Sequence, residues 1–485
     1  MAKDKLLLSS TIRILVSGVF ILISMVVLYQ PVIEDGLQLL FLLPLFFGVS
    51  IFALWDTIIF IADDICIILL LATMVLRYAV SPLLMSLAHS TVPGLICSYG
   101  SYVYAIVISL TELIAAMFGL KMYFGRKNRM EAKNALAKNE IGLKTTLVGL
   151  IAFWAVVILV VLRGYIPNVI AHTSVLLHVV RNVDDVYTFD MNCLVALKAI
   201  VFLVIANGCY QRYKVSKNAI WFIIACAAGV LNVIFYDYTQ RALLMEIGIA
   251  TVVVLNLLFP NFKKTVRLLF GLGVLVVISS LFLINTLHFD DGLAVVVDNQ
   301  SELVSLSTSV EVYSNGITNM AYSLETYSNA SRSVSISTFY AEIIKNLGFL
   351  RFPVLRNILA AVSHIPETTS IWHTVLPTSY QGFIIPPIAQ ANYYFTPYFG
   401  WIIDILYFLG IIKLMAYFRF KMIKEYDVVY KYIWTFYEIL CSLCFCYNAR
   451  IMLHTFTYIP MYILIIYFFN KFGKKVKFRH GGREK

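Results

Sequence analysis

The chain has 485 residues, of which 60% are hydrophobic and only 13% are charged. A soluble protein of this composition would expose too much apolar surface to stay dispersed, so soluble classes of protein are excluded. The formal net charge of +11 is explained by loops that face the cytoplasm and by their attraction to lipid headgroups. It does not indicate nucleic-acid binding.

Apolar runs of about 18 or more residues are long enough to cross a bilayer as helices, and they predict an all-α polytopic membrane protein. About twelve transmembrane helices are expected, at residues 11–29, 37–54, 57–77, 97–120, 144–163, 191–210, 219–236, 241–259, 266–287, 386–412, 431–449 and 454–470. No small-residue cleavage site follows the first run, so we interpret it as an anchor and not as a signal peptide.

Lysine and arginine are concentrated in alternate connections, with dense clusters at 121–144, 212–217, 263–267, 419–431 and 471–485. The positive-inside rule therefore predicts that both termini are cytoplasmic. The chain then divides into four parts. They are transmembrane helices one to nine (1–287), a large extracytoplasmic loop (288–385), transmembrane helices ten to twelve (386–470) and a basic cytoplasmic tail (471–485).

The predicted extracytoplasmic loop is the one long connection, and a loop of this length is usually functional. Its apolar spacing predicts an amphipathic helix in the Ser-rich first part, a second short helix in "SISTFYAEIIKNLGFL" and a third, at the membrane surface, in "RFPVLRNILAAVSHIP". Prolines at positions 377, 386, 387 and 397 exclude a long regular element just before the tenth span.

Arginines on the predicted outer face are the first candidates for chemistry. Arg241 begins the eighth span and Arg450 ends the eleventh, which places both at the outer membrane boundary. Each is either an interfacial anchor or part of an anion clamp, because the planar guanidinium group donates two parallel hydrogen bonds and keeps its charge. Three further arginines belong to the loop: Arg332, Arg351 and Arg356.

A second group of candidates precedes the tenth span in "WHTVLPTSYQGFIIPPIAQANYYFTPYFGW". His373 is either a structural loop residue or a base that takes a proton from a hydroxyl near neutral pH, and His364 is its rival for that role. Amide and tyrosine side chains of this stretch are of the types that stack on and hydrogen-bond sugars; they include Tyr380, Gln381 and Tyr394.

Charged residues within predicted spans are costly in the bilayer and often functional. They form either a proton relay in a transporter or buried pairs between helices, and they are Asp63, Asp64, Glu112, Lys198, Glu246, Asp404 and Glu438. The eight cysteines all lie in or beside predicted spans, which indicates packing residues and not a disulfide framework.

The chain resembles the bacterial oligosaccharide repeat-unit polymerases, the Wzy type of the O-antigen and capsule pathways. The resemblance lies in the many spans with one long, late external loop, and in two stretches of sequence. "QRALLMEIGIA" is similar to the family's Arg-led helix start, with Ala242 where the family has glycine. "PTSYQGFIIPPIAQANYYFTPYFGWIIDILYFLG" is similar to the family's exit from the loop into the next helix.

This resemblance implies a GT-C-like glycosyltransferase of the bacterial cytoplasmic (inner) membrane that polymerises undecaprenyl-diphosphate-linked oligosaccharides without a metal or another cofactor. Arg241 and Arg450 are then the diphosphate clamp, with Arg351 and Arg356 assisting, and His373 is the base. Arg332, His364, Tyr380, Gln381 and Tyr394 are the predicted substrate-binding residues. The lipid bilayer, a flippase and a chain-length regulator are the implied partners, and no nucleic acid is expected.

Other functions remain open. A lipid-linked oligosaccharide flippase would account for the charges within spans, but the long loop does not fit carriers that are built from two similar halves with short loops. A related transferase, such as an O-antigen ligase or a peptidoglycan polymerase, would perform the same class of chemistry on a different acceptor. A non-catalytic membrane scaffold would leave the arginines of the outer face unexplained.

Overall fold

The computed structural model describes most of the chain, namely residues 2–61, 64–125, 141–143, 187–234, 241–266, 268, 271, 302–347, 350, 355–376, 384–457 and 463. These residues are almost entirely helical. The β-type contact found among them is an isolated parallel bridge between Gly142 and Asp427. The prediction of an all-α protein is confirmed for this part of the chain.

The N-terminal part consists of long apolar helices. They are α1 (Ala2–Tyr29), α2 (Leu42–Ile61), α3 (Ile65–Val75), α4 (Ser81–Ala88) and α5 (Tyr99–Tyr123). A π-helical turn at Leu76–Val80 joins α3 to α4, so the two helices form one continuous apolar stretch over Ile65–Ala88.

The third predicted span, 57–77, is displaced in the structure. Helix α2 ends at Ile61, and α3 begins at Ile65 because Asp64 has an extended backbone and caps it. The Asp64 carboxylate accepts a hydrogen bond of 3.0 Å from the Cys66 backbone N–H, which satisfies one of the free donors at the helix N-terminus. A hydropathy profile contains no information about such a cap.

The middle of the chain forms α6 (Tyr187–Ser216), α7 (Ile220–Ile234) and α8 (Arg241–Leu258). Helix α6 packs on α7, and α8 packs on α7. The chain bends by 116° between Met245–Leu258 and Pro260–Val266. Pro260 lacks the N–H that would continue the helical hydrogen bonds, and this explains the position of the bend.

The predicted extracytoplasmic loop, called the 288–385 segment below, contains six short helices among its described residues. They are α9 (Glu302–Tyr313), α10 (Ile317–Glu325), α11 (Tyr327–Ala330), α12 (Ile336–Lys345), α13 (Arg356–Val362) and α14 (Thr368–Val375). Helix α12 begins with a capping box at Ser335 and Thr338, which fixes the start of the predicted second helix.

The C-terminal part contains α15 (Pro387–Tyr394), α16 (Pro397–Lys424), α17 (Val428–Ser442) and α18 (Ala449–Thr457). The predicted span 386–412 is therefore divided, because Phe395 and Thr396 are extended and Pro397 starts a new helix. Helix α16 packs against α17, α15 and α5, and α8 packs against α17. Most residues of α17 are buried in these contacts.

The first part of the 288–385 segment packs into this bundle. Helix α10 lies against α5, and its side chains Ile317, Met320 and Ala321 are buried in the main apolar core. Asn315 donates a hydrogen bond of 3.3 Å to the Phe445 backbone oxygen. A second apolar cluster surrounds Trp372, which is fully buried.

Among the described residues, five helices are long and apolar enough to cross a membrane. The number rises to six if the two helices that meet at the bend before Pro260 are counted as one span. These helices identify a membrane protein. The full number of twelve spans stays a prediction. The expected spans 144–163, 266–287 and 454–470 lie wholly or mostly outside the described residues, and the described helices at the expected spans 191–210, 219–236 and 431–449 are not among those long and apolar enough.

Gly400 provides a test of the packing between α15 and α16. A Cβ atom there would collide with the Asn392 side-chain oxygen and lie 3.0 Å from the Asn392 backbone nitrogen. We expect Gly400→Ala to destabilise the protein by about 1–3 kcal/mol because α15 has to shift. The thermal unfolding of the detergent-solubilised protein measures this effect.

Gly410 is the matched control on the same helix, since a Cβ atom there would meet nothing within 4 Å. Gly410→Ala is expected to leave the unfolding temperature unchanged or to raise it, because alanine favours a helix by about 1 kcal/mol over glycine. Equal behaviour of the two variants would contradict the close approach of α15 to α16.

Candidate functional site

A cavity of about 190 Å³ lies between helices α12, α15, α16 and α18. Most of its wall is apolar, with Phe339, Ile343, Pro387, Ala391, Phe395, Ile403, Ala449 and Leu453. Its polar lining is formed by Glu342, Gln390, Tyr394, Asp404, Tyr407 and Arg450. A cavity with an apolar wall and a few convergent polar groups is the usual form of a ligand site.

Arg450 is held at the cavity by the start of α18. The Asn448 side-chain oxygen accepts a hydrogen bond of 2.9 Å from the Ile451 N–H, which caps the helix just before Arg450. Arg450 Nε forms an ion pair of 2.7 Å with Glu367 Oε2 and donates to Asn346 Oδ1 at 3.2 Å. Among the described residues, the terminal nitrogens Nη1 and Nη2 have no hydrogen-bond or ion-pair partner.

Glu342 is the main polar junction of the site. Glu342 is only 6% exposed, yet its carboxylate accepts hydrogen bonds from Gln390 Nε2 at 2.7 Å and Tyr394 Oη at 2.5 Å. It also accepts the single proton of Thr368 Oγ1, which lies 2.7 Å from Oε1 and 2.5 Å from Oε2. The Thr368 backbone N–H adds a bond of 3.3 Å. A buried carboxylate needs this number of donors to compensate for the lost water.

Gln390 connects this junction to the helix that carries Arg450. Its amide nitrogen donates to Glu342, while its amide oxygen accepts a hydrogen bond of 3.2 Å from the Ala449 N–H. The two ends of one side chain therefore fix α12 relative to α18. As a result, the Glu342 junction and the Arg450 guanidinium have a defined mutual position across the cavity.

Tyr394 adds a hydroxyl donor to the cavity. Burial raises the pKa of the Tyr394 phenol, and the adjacent Glu342 carboxylate raises it further. The phenol therefore stays protonated at neutral pH and continues to donate to Glu342.

Asp404 lies on the same cavity wall, two turns into α16. It is 1% exposed, and its carboxyl group faces that of Glu112 of α5 across a side-chain hydrogen bond. Arg77 of the π-helical turn also acts on it electrostatically. Arg77 and Glu112 form a buried ion pair with each other.

A further group of buried charges lies at the other end of the bundle. Asp64, Cys66 and Glu438 are close enough together to hold a metal ion. Arg419, however, forms ion pairs with both carboxylates, contacting Asp64 and lying 3.3 Å from Glu438 Oε1. The guanidinium already supplies the positive charge that these acids require, so we interpret the group as an ion-pair network.

The structure brings two of the predicted site residues, Arg450 and Tyr394, to the cavity. His373 is half-buried on α14 and is not among the residues that line the cavity. His364 and Arg332 are exposed and also lie away from the cavity lining. The predicted roles of these three residues remain predictions.

The other predicted residues are described in part or not at all. Arg241 begins α8, and the structure describes its backbone but not its side chain. The Tyr447 hydroxyl donates a hydrogen bond of 2.9 Å to Glu246, which places the early turns of α8 beside the chain that leads to Arg450. Arg356 begins α13, again without a described side chain, and Arg351, Tyr380 and Gln381 lie outside the described residues.

Sequence reasoning did not identify Glu342 or Asn346 as site residues. A usable signal was present for Glu342, because this acid shares the buried face of α12 with Thr338 and Ala341. An acid among residues at helical spacing on a buried face requires internal partners. Asp404 was identified only as a charge within a span, without its neighbours.

No protein-family model matches the chain, and comparisons with curated proteins and with solved structures return no match.

Removal of the Glu342 carboxylate tests its role as the junction. We expect Glu342→Ala to lower the free energy of unfolding by at least about 2 kcal/mol, because several buried donors lose their acceptor. Glu302→Ala is the control, since Glu302 is exposed at the start of α9, and it should change stability by less than about 1 kcal/mol. Thermal unfolding measures both, and a Glu342 variant as stable as the control would contradict the role.

Proposed function

We propose that this chain is a membrane glycosyltransferase that polymerises undecaprenyl-diphosphate-linked oligosaccharide repeat units into a surface polysaccharide. The observation that carries the proposal is the combination of a mainly apolar cavity with Arg450 and a group of polar side chains at its wall. A polyprenyl diphosphate needs these two environments next to each other, because its chain is apolar and its headgroup is an anion.

Arg450 suits the diphosphate of such a substrate. Its Nε is held by Glu367 and Asn346, which orients the guanidinium plane. Both terminal nitrogens are without a partner among the described residues and can bind ligand oxygens. Charge grows on the leaving diphosphate in the transition state, and oriented donors stabilise it there. The predicted contribution of Arg241 to the same clamp is part of the proposal, with Arg351 and Arg356 assisting.

The polar groups around Glu342 suit the sugar. Tyr394 Oη, which donates its proton to Glu342, can still accept a hydrogen bond from a sugar hydroxyl, and Phe395 adds an aromatic surface beside it. The acceptor unit would bind here, with its hydroxyl close to the diphosphate of the donor. The growing chain is then transferred to a new repeat unit, and undecaprenyl diphosphate leaves.

A lipid-linked oligosaccharide flippase is the second candidate. The buried charges Arg77, Glu112 and Asp404 favour it, since charged groups inside a helix bundle often mark transport pathways. An O-antigen-ligase-like transferase would use the same chemistry with another acceptor. A flippase changes the sidedness of its substrate without making a new bond, so product analysis separates it from both transferases.

The proposal places the protein in the bacterial cytoplasmic membrane with both termini in the cytoplasm and the 288–385 segment outside. A flippase and a chain-length regulator are the proposed protein partners.

With all eight native cysteines replaced, a membrane-impermeant maleimide should label Arg332→Cys in intact cells. Lys214→Cys should react only after permeabilisation; both positions are exposed. Labelling of Lys214→Cys in intact cells would contradict this orientation.

The diphosphate clamp is tested with purified protein in nanodiscs and lipid-linked repeat units extracted from cells that make the protein. The wild-type protein should yield a ladder of multimers on a gel. Arg450→Ala should slow ladder formation by roughly 10²–10³-fold, as expected for the loss of one oriented donor to the developing charge. Arg450→Lys should show a smaller loss, because it keeps the charge but not the planar fork.

Arg212→Ala is the matched control, since Arg212 is an exposed base near the C-terminal end of α6. Its rate of ladder formation should equal that of the wild type. Full activity of Arg450→Ala would exclude Arg450 from the clamp. A substrate that changes sides in proteoliposomes without forming multimers would favour the flippase.

A further inference from the structure

The cavity that contains Arg450 is open at the protein surface where apolar residues line it. Three of its lining residues are also exposed, namely Phe339 of α12 by 41%, Phe395 by 46% and Ile403 of α16 by 38%. Glu342, by contrast, is buried. Apolar side chains therefore form the edge of this opening, which is called the lateral opening below.

One edge of the lateral opening belongs to an exposed apolar surface of α16. Ile403 is part of a stripe of exposed residues at helical spacing, formed by Phe399, Ile402, Ile403 and Leu406. Helix α16 is among the helices that are long and apolar enough to cross a membrane. An apolar face that stays exposed on such a helix contacts the hydrocarbon chains of the bilayer. The cavity therefore opens toward lipid at Ile403.

The other edge is formed by α12, whose exposed face is also apolar. Ile336, Phe339 and Tyr340 are neighbours on this face, while Glu342 is among the buried residues of the helix. The Phe339 ring packs edge-on against Tyr394, with 5.2 Å between the ring centroids. Because Tyr394 ends the helix directly before α16, α12 lies at the level where α16 begins. An amphipathic helix at this level lies on the membrane with its apolar face in the lipid.

Exposed aromatic residues mark the membrane boundary at the same level. They are Tyr398, Phe399 and Trp401 at the start of α16, and such side chains are enriched where a helix enters the headgroup region. The lateral opening then lies where headgroups meet hydrocarbon chains. An anionic lipid has its phosphate and its chain in this order, with Arg450 available to the phosphate and the apolar edge available to the chain.

We propose that the lateral opening lies within the bilayer and holds the isoprenoid chain of undecaprenyl diphosphate, while the diphosphate reaches Arg450 inside the cavity. The choice of this lipid as the occupant rests on the proposed function, whereas the position of the opening in the bilayer does not. The substrate enters sideways from the leaflet around the start of α16, without leaving the membrane. A water-soluble diphosphate lacks the chain and is not a ligand of this site.

Photo-crosslinking tests the proposal. Benzoylphenylalanine, a photoreactive analogue of phenylalanine, replaces Phe339 in the purified protein, which is placed in nanodiscs of phospholipid with a small fraction of undecaprenyl diphosphate. Mass spectrometry identifies the crosslinked products. Undecaprenyl diphosphate should exceed its share of the lipid by roughly tenfold or more among these products, because hydrogen bonds from a charged group contribute at least that much affinity.

Phe46 is the matched control position. It is a phenylalanine of the spanning helix α2 with an exposed fraction of 40%, and it is not among the residues that line the cavity. At Phe46 the products should contain undecaprenyl diphosphate only in proportion to its share of the lipid. In the Phe339 variant, Arg450→Ala should reduce the enrichment to this proportion, while crosslinks to phospholipid persist and show that the protein is still folded in the membrane.

Inorganic diphosphate in the buffer separates the lipid from a soluble source of the same anion. A roughly hundredfold excess should leave the crosslink at Phe339 unchanged, because the burial of a few isoprenoid carbons contributes more affinity than that. Displacement by inorganic diphosphate would show that the site takes its anion from water, and this overturns the proposal.

Ladder formation by the wild type in the same nanodiscs separates this proposal from the proposed function. A ladder without enrichment at Phe339 overturns the lateral entry alone, and the absence of both overturns both. Enrichment at Phe339 without a ladder supports the lateral opening and contradicts the polymerase. If the crosslinks at Phe339 contain no lipid, the opening faces water or another protein, and the proposal fails whatever the ladder shows.

Discussion

The carboxylate of Glu342 is the interaction on which the candidate site depends. It lies out of contact with bulk water and is satisfied entirely by donors from two other helices, Thr368 of α14 together with Gln390 and Tyr394 of α15. Inside a protein, where the effective dielectric constant is low, such bonds are strong and their loss is costly. The 288–385 segment is thereby joined to the helices that follow it, and the cavity exists between the joined parts.

The cavity brings together two different ways of holding a charge. Arg450 is oriented through Nε by Glu367 and Asn346, whereas Asp404 faces the Glu112 carboxyl and lies near Arg77. A satisfied network fixes geometry. The proposed chemistry uses the oriented guanidinium of Arg450 for the leaving diphosphate.

The sequence predicted the helical class, the short helix at Ile336–Lys345 and the approximate position of most described spans, because these depend on local composition and apolar spacing. It missed the breaks at Asp64 and before Pro397, which are set by a single capping side chain and by a proline. It identified Arg450 and Tyr394 but not Glu342, and it could not place Asp404 near Arg77 and Glu112. The contacts of Asp404 with Arg77 and Glu112 join residues hundreds of positions apart in the chain, and a single sequence does not show which distant residues are in contact.

The burial of helix α10 also affects how the protein is made. Asn315 bonds to the backbone of Phe445, and Met320 packs beside the Arg77–Glu112 pair. The ribosome synthesises Phe445 long after Asn315, so the earlier segment cannot finish packing until the last helices have been inserted. A chain truncated before α17 would leave α10 without part of its binding surface, and such a chain would be a substrate for quality-control proteases.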